Sequence, residues 1–291
     1  LTRTVPGSPL LPPTSDLELG RRAWRRSRAR RSTLVALVST VVFSALAYLT
    51  VTSAPGWPRV RTTFFDLRVA GETLPLIAKG LLFNLQVLGI SAVLVPLIGL
   101  LVALGRTVRG PAFAPLRFVA TGYVDLFRGM PLIIVLYLVG FGLPALRLQG
   151  VPTSYFVLGT AAIVLTYSAY VAEVFRAGIE SVHPSQRAAA RSLGLTHRQT
   201  TRLVVLPQAL RTVTPPLLND FVALQKDVGL ISVLGALDAV RYAQIEVGQR
   251  FNFTPYVVAG LLFVLLAVPS ARLADAVSAR ARRRQQAGNL L

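Results

Sequence analysis

Five long runs of the sequence carry no charged side chain at all: 34–58, 80–105, 129–146, 148–172 and 251–271. A run of about 20 apolar residues is what a helix needs to cross the hydrocarbon core of a bilayer. In lipid the backbone must satisfy its own hydrogen bonds, so the element that fits such a run is a helix. A sixth apolar stretch, 213–237, is interrupted by Asp220, Lys226 and Asp227. It is read as a span too, because charges inside a membrane ordinarily face a bundle interior or a water path. The sequence therefore predicts an all-α integral membrane protein of about six transmembrane helices. Composition agrees: 53% of the 291 residues are hydrophobic and only 15% are charged, against roughly 25% charged in soluble proteins.

The charge balance, +19 at pH 7, admits a nucleic acid or a membrane surface as partner. The placement of the basic residues decides between them. With both termini in the cytoplasm, 22 of the 31 Lys and Arg residues fall in 1–33, 106–117, 174–211 and 272–291, and seven fall on the opposite side. That is a strong positive-inside bias, so the excess is a topology and lipid signal and no nucleic-acid role is expected. The Arg-rich run 21–31 abuts the first span, where anionic headgroups would meet it. Residues 1–33 are read as a basic, disordered cytoplasmic arm, 34–54 as a retained first helix, and 276–291 as a basic cytoplasmic tail. The sequence has no Cys and only two His, which excludes disulfides, thiolate chemistry and a His-rich metal site.

Within the spans, Pro131 after Gly129-Met130 predicts a kink in a third helix over 115–140. Polar side chains fall on helical stripes: Asn219, Asp220, Lys226 and Asp227 on one face, and Thr166, Tyr167, Tyr170 and Glu173 on another. Asp125 and Arg128 stand at i, i+3. These residues are candidates to line a pathway or touch a zwitterionic cargo. The competing reading makes Asp125–Arg128 and Lys226–Asp227 structural partners, Glu173–Arg176 a helix-end pair, and both histidines solvated loop residues. Gly99 and Ala103 offer a weak small-residue signal for close helix packing.

The longest inner loop, 181–207, is the most informative segment. Pro184 suits a first helical turn, and the Ala188-Ala189-Ala190 stretch propagates a helix. Gly194 stands where a C-terminal cap needs positive φ. Thr196 and Gln199 have capping-box spacing, and Pro207 is expected to end or kink the second helix. The outcome is a helix–turn–helix on the cytoplasmic face, with a narrow alanine surface flanked by Arg187 and Arg191. As an alternative it could simply rest on the membrane surface.

The spacing Ala188-Ala189-Ala190, three residues, Gly194, nine residues, Val204, one residue, Leu206-Pro207 resembles the EAA loop of ABC importer permeases. The strings 127–132, 172–179, 206–210 and 219–230 are similar to the polar amino acid (His/Glu/Gln/Arg/Lys) permease subfamily. The resemblance covers about 79–275. It departs from the family pattern at Ala188, where the family has Glu, at Val228 and Gly229, which replace Thr and Ser, and at Asn84, which replaces Thr.

The resemblance implies an ABC type-1 importer permease fold with one extra N-terminal helix. It further implies a cytoplasmic membrane of a prokaryote, two permease subunits, two ATP-binding subunits, and an extracytoplasmic solute-binding protein that delivers an amino acid. The loop would be the coupling segment, with Pro184, Gln186, Arg187, Ala188, Ala189, Ala190, Arg191, Gly194, Leu206 and Pro207 meeting the ATPase. The chain has no P-loop of its own. No cofactor, metal or catalytic residue is expected in it, and ATP and Mg would belong to the partner ATPase. A stand-alone secondary transporter and an intramembrane enzyme are the rival readings.

Overall fold

Local signals set most helix boundaries. In the computed structural model, which describes residues 16–108 and 110–288, every regular element is helical. The chain divides into two units, 1–61 and 62–291. The stretch 1–15 and Arg109 lie outside the described residues.

The first unit carries α1 (Asp16–Thr52). It starts well upstream of 34, inside the arm expected to be disordered. Extending an existing helix adds one hydrogen bond per residue and needs no new nucleus, and Leu, Ala and Arg are good helix formers. Within its apolar part, the hydroxyls of Thr40, Thr50 and Thr52 donate back to the carbonyls of Ala36, Leu46 and Tyr48. Such back-bonds satisfy hydroxyl donors within the helix itself, as lipid requires. The short α2 (Trp57–Phe64) follows.

In the second unit, Asp66 caps α3 (Leu67–Thr107): its Oδ1 accepts from the N–H groups of Arg68 and Val69. The uncharged run 80–105, read as a span, is only the later part of this 41-residue helix. At 1.5 Å per residue it is about 60 Å long, twice a hydrocarbon core. Residues 67–79 therefore continue the span in the same helix.

The expected third span is a broken one. A 3-10 turn (Pro111–Phe113) leads into α4 (Ala114–Gly129); α5 (Leu132–Tyr137), a π-turn (Leu138–Gly142) and α6 (Leu143–Ala145) continue beyond the break. The helix axis bends by 107° at Met130-Pro131, much sharper than a kink. Met130 is extended, with φ −97° and ψ 138°, as the residue before proline prefers, and Pro131 has no N–H to give to the preceding turn.

Helix α7 (Tyr155–Glu180) is the centre of the body and packs along α3. The approach is close because Gly99 has no side chain: a Cβ there would come within 2.7 Å of Val171 Cγ1. Ala103, Val124, Ala169 and Ala172 fill the next layer, which bears out the small-residue signal. The main core lies above it, around Val87, Leu136, Ile163, Leu224 and Ile231.

The loop after α7 forms α8 (Pro184–Ser192) and α9 (His197–Thr200). A π-turn (Thr201–Val205) then leads directly into α10 (Leu206–Asp227). Of the two outcomes expected at Pro207, an end or a kink, the helix does not end there, and the irregularity is the π-turn just before it. The Leu206 N–H bonds to the Thr201 carbonyl, five residues back, so the ladder is already widened where proline would break it. A 3-10 stretch (Val228–Leu234) and Gly235, at φ +89°, close this segment. The stretch between the apolar runs 213–237 and 251–271 is largely a helix, α11 (Ala239–Arg250), inclined 52° to the segment before it. The last helix, α12 (Thr254–Gly288), runs on into the expected tail as far as Gly288; 289–291 lie outside the described residues. Among the described residues, four helices are long and apolar enough to cross a membrane, and up to six spans result if each bent pair counts as one.

Candidate functional site

The loop helix forms as its residues dictate. Pro184 occupies the first turn of α8, and His183 caps it, with Nδ1 accepting from the Ser185 N–H at 3.2 Å. His183, expected as a solvated loop residue, is exposed but has this capping task. Gly194 adopts φ +84°, and Leu195 N–H returns to the Ala190 carbonyl at 3.2 Å. Thr196 and Gln199 complete the capping box: Thr196 N–H donates to Gln199 Oε1 at 2.9 Å, and Gln199 N–H to Thr196 Oγ1 at 3.3 Å.

The faces of α8 differ. Ala190 is buried against the body, whereas Pro184, Gln186, Ala188, Ala189 and Arg191 are exposed, as is Gly194 beyond the helix. Arg187 turns away from that exposed face, and its Nη2 donates to the carbonyl of Ile179 near the end of α7 at 2.5 Å. Leu206 and Pro207 sit at the start of α10. The loop is therefore attached at both ends, through Arg187 to α7 and through the π-turn to α10.

Glu173 is the polar hub of the neighbouring region. Arg106 of α3 donates from Nη1 to its Oε2 at 2.6 Å, and Arg128 of α4 stands 3.9 Å from the same oxygen. Arg176 grips both carboxylate oxygens and also reaches Glu180. The expected Glu173–Arg176 pair is present and is part of a larger cluster. Arg106, which the sequence places in the cytoplasmic basic segment 106–117, lies in the last turn of α3 and is the most buried member of the cluster. The Arg128 guanidinium also lies over the ring of Tyr170, 5.7 Å from its centroid, a geometry that favours cation–π attraction.

Two expected pairings do not form. Asp125 is exposed, and among the described residues no ion pair joins it to Arg128. One turn of helix makes such a pair possible, but Glu173 offers Arg128 a carboxylate in a drier setting. Lys226 is likewise exposed and does not pair with Asp227, whose Oδ2 accepts from the hydroxyl of Tyr167 at 2.7 Å. Asn219 is exposed, and Asp220 is half-buried on the side of α10 that faces α7.

Asp238 carries a role the sequence reading missed. It is fully buried and caps α11 through Oδ1, at 2.8 Å from the Arg241 N–H. Asn84 Nδ2 donates to Asp238 Oδ2 at 3.0 Å and to the Val228 carbonyl at 3.1 Å, and its Oδ1 accepts from the Ala239 N–H at 3.1 Å. Gly80, one turn earlier, lets that turn approach: a Cβ there would lie 2.5 Å from backbone atoms of Asp238 and Ala239. An Asp three residues ahead of its N–H donor is a readable cap signal. The partnership with Asn84, 154 residues away, has no local trace.

Comparison with known proteins follows the same outline. Residues 95–283 match the family described as binding-protein-dependent transport system inner membrane component. The arginine transport system permease protein ArtQ of Bacillus subtilis is 31% identical over 202 residues, covering 69% of this chain and 90% of ArtQ. The probable glutamine ABC transporter permease GlnM of the same organism is 38% identical over 160 residues, covering 54% and 72%. Among solved structures, an amino acid ABC transporter with histidines superposes with a TM-score of 0.67 at 32% identity, covering 74% of this chain and 98% of that one. With a helical body of four to six membrane spans, a matching loop and this extent of similarity, the chain belongs to the family of binding-protein-dependent transport system inner membrane components.

Proposed function

We propose that this chain is the pathway-forming permease subunit of an ATP-driven importer for a polar amino acid or a similar small zwitterion. The observation that carries this reading is the exposed Ala188–Ala189 surface of α8, a short helix attached to α7 by Arg187 and to α10 by the π-turn. Small side chains let a helix seat closely in a groove, and a rigid double attachment passes a push to both helices at once. In this reading the groove belongs to an ATP-binding subunit, which holds ATP and Mg. Ala188 in place of the family Glu leaves shape, with Arg191 beside it, to make the contact.

The transporter would hold two such ATPases, a second permease that is a copy or a homologue of this one, and an extracytoplasmic solute-binding protein that delivers cargo. ATP binding need favour one packing of the membrane helices over the other by only a few kcal/mol. Both termini would face the cytoplasm, the side that carries 22 of the 31 basic residues. The relatives in this family give no support to a stand-alone secondary transporter.

The test is purification of the tagged chain from its native host in mild detergent. An ATP-binding subunit should copurify, and the reconstituted complex should hydrolyse ATP faster when cargo-loaded binding protein is added. Transport by this chain alone, with no ATPase, would overturn the reading.

A further inference from the structure

The loop 181–207 carries four arginines, Arg187, Arg191, Arg198 and Arg202, and no Asp or Glu. Arg187 is held by the Ile179 carbonyl. Arg191, Arg198 and Arg202 are exposed, and among the described residues no carboxylate pairs with them. Glu180, the acid nearest the loop along the chain, is engaged by Arg176. The loop therefore presents a positive field with no internal counter-charge.

Packing fixes the direction of that field. Ala190 and Thr200 are buried, and residues two apart on a helix point roughly 200° apart. Ala188 and Arg198 thus face away from the helical body on which Ala190 and Thr200 pack. Arg191, one turn on from Ala188, shares its side. The body sits in the bilayer, so this side looks towards the aqueous phase. It is not uniformly polar. Leu193, at the end of α8, is 82% exposed, and with Ala188 and Ala189 it makes an apolar centre flanked by Arg191 and Arg198. An apolar centre with a charged rim is the make-up of a protein contact. A helix lying on lipid instead turns its apolar residues and its charges to opposite faces.

We propose that the ATP-binding subunit meets this loop with an acidic rim round an apolar floor: carboxylates facing Arg191 and Arg198, and a small recess for Ala188, Ala189 and Leu193. The proposal rests on the importer reading above and adds to it the charge of the partner surface. An acid at position 188 would face like charge there, so such a partner selects this permease against one that carries Glu at the same place.

The ATP-binding subunit that copurifies with the tagged chain is dissociated and titrated back onto the full chain in phosphatidylcholine nanodiscs. Arg191→Glu combined with Arg198→Glu should weaken binding by about tenfold or more at about 0.1 M salt. The difference should shrink at about 1 M salt, where the screening length falls to about 3 Å. Ala188→Glu should weaken binding as well, and Ala188→Ser, small and uncharged, should not. The chain has only two lysines, Lys79 and Lys226, both outside the loop, so Arg191→Lys gives the loop a single amine. A carbodiimide should condense that amine with an Asp or Glu of the ATP-binding subunit, which reads the contact even where a Glu variant fails to fold. Undiminished binding by Ala188→Glu, no effect of the arginine reversals, or no cross-link overturns the acidic rim. A loss of affinity seen only in phosphatidylglycerol nanodiscs assigns the arginines to lipid and overturns it too. In each of these cases the ATP-binding subunit still binds the unaltered chain and the importer reading stands. If no ATP-binding subunit copurifies, that reading falls and the acidic rim with it.

Discussion

Arg106 and Glu173, 67 residues apart in sequence, meet at 2.6 Å and tie the end of α3 to the last turns of α7. The Arg106 side chain is only 13% exposed, and its Nε has no partner, so the carboxylate is its main compensation. Arg128 and Arg176 converge on the same group. One acid therefore holds three helices' charges in register, about 9 Å along α7 from Ile179, where Arg187 attaches α8.

Removing that acid strands a nearly buried guanidinium. Glu173→Ala should destabilise the protein by about 2 kcal/mol, read as a lower thermal unfolding midpoint in detergent. Asp125→Ala, on the exposed face of α4, should change stability by less than about 0.5 kcal/mol. Equal effects would mean that Arg128 relies on Asp125 after all.

Gly194 is a backbone requirement with no packing component. Its φ is +84° and a Cβ there would meet nothing within 4 Å. Gly194→Val should cost about 1–2 kcal/mol locally and abolish cargo-stimulated ATP hydrolysis while the chain still inserts. Gly194→Asn, which tolerates the left-handed region, should retain most of the stimulation. Normal stimulation in the valine variant would refute a coupling role for this turn.

Arg187 and Arg191 separate attachment from docking. Arg187→Ala cuts the link to the Ile179 carbonyl, so the ATPase should still copurify while stimulation by cargo falls several-fold. Arg191→Glu, on the exposed face, should instead reduce the amount of ATPase retained. Quantifying both proteins after a single affinity step, alongside ATP hydrolysis, distinguishes the two. The opposite pattern would reverse the assigned roles.

Gly80 and Asn84 act on one contact. Gly80→Ala places a methyl against the backbone of Asp238 and Ala239, and Asn84→Ala leaves buried groups on Val228, Asp238 and Ala239 without their partner. Each should cost about 1–3 kcal/mol. Because both loosen the same junction of α3 and α11, the double variant should cost less than the sum. Full additivity in thermal unfolding would show the two sites to be independent.

Much of this molecule was readable from its sequence because the causes are local. Uncharged runs exclude water-facing helices, Pro131 withholds an N–H and forces Met130 out of the helix, and Pro184, Gly194, Thr196 and Gln199 fix a loop helix through φ angles and caps within a few residues. Local patterning could also place polar side chains on stripes. It could not choose their partners. The helical spacing permits Asp125–Arg128 and the neighbours Lys226–Asp227, yet Arg128 goes to Glu173, and Asp227 to Tyr167. Those choices, like Asn84 with Asp238, depend on how closely α3, α7, α10 and α11 approach. Gly80 and Gly99 set that approach by what they lack. Periodicity tells a side chain which way to face, but the desolvation it meets and the partner it finds exist only once distant helices have packed.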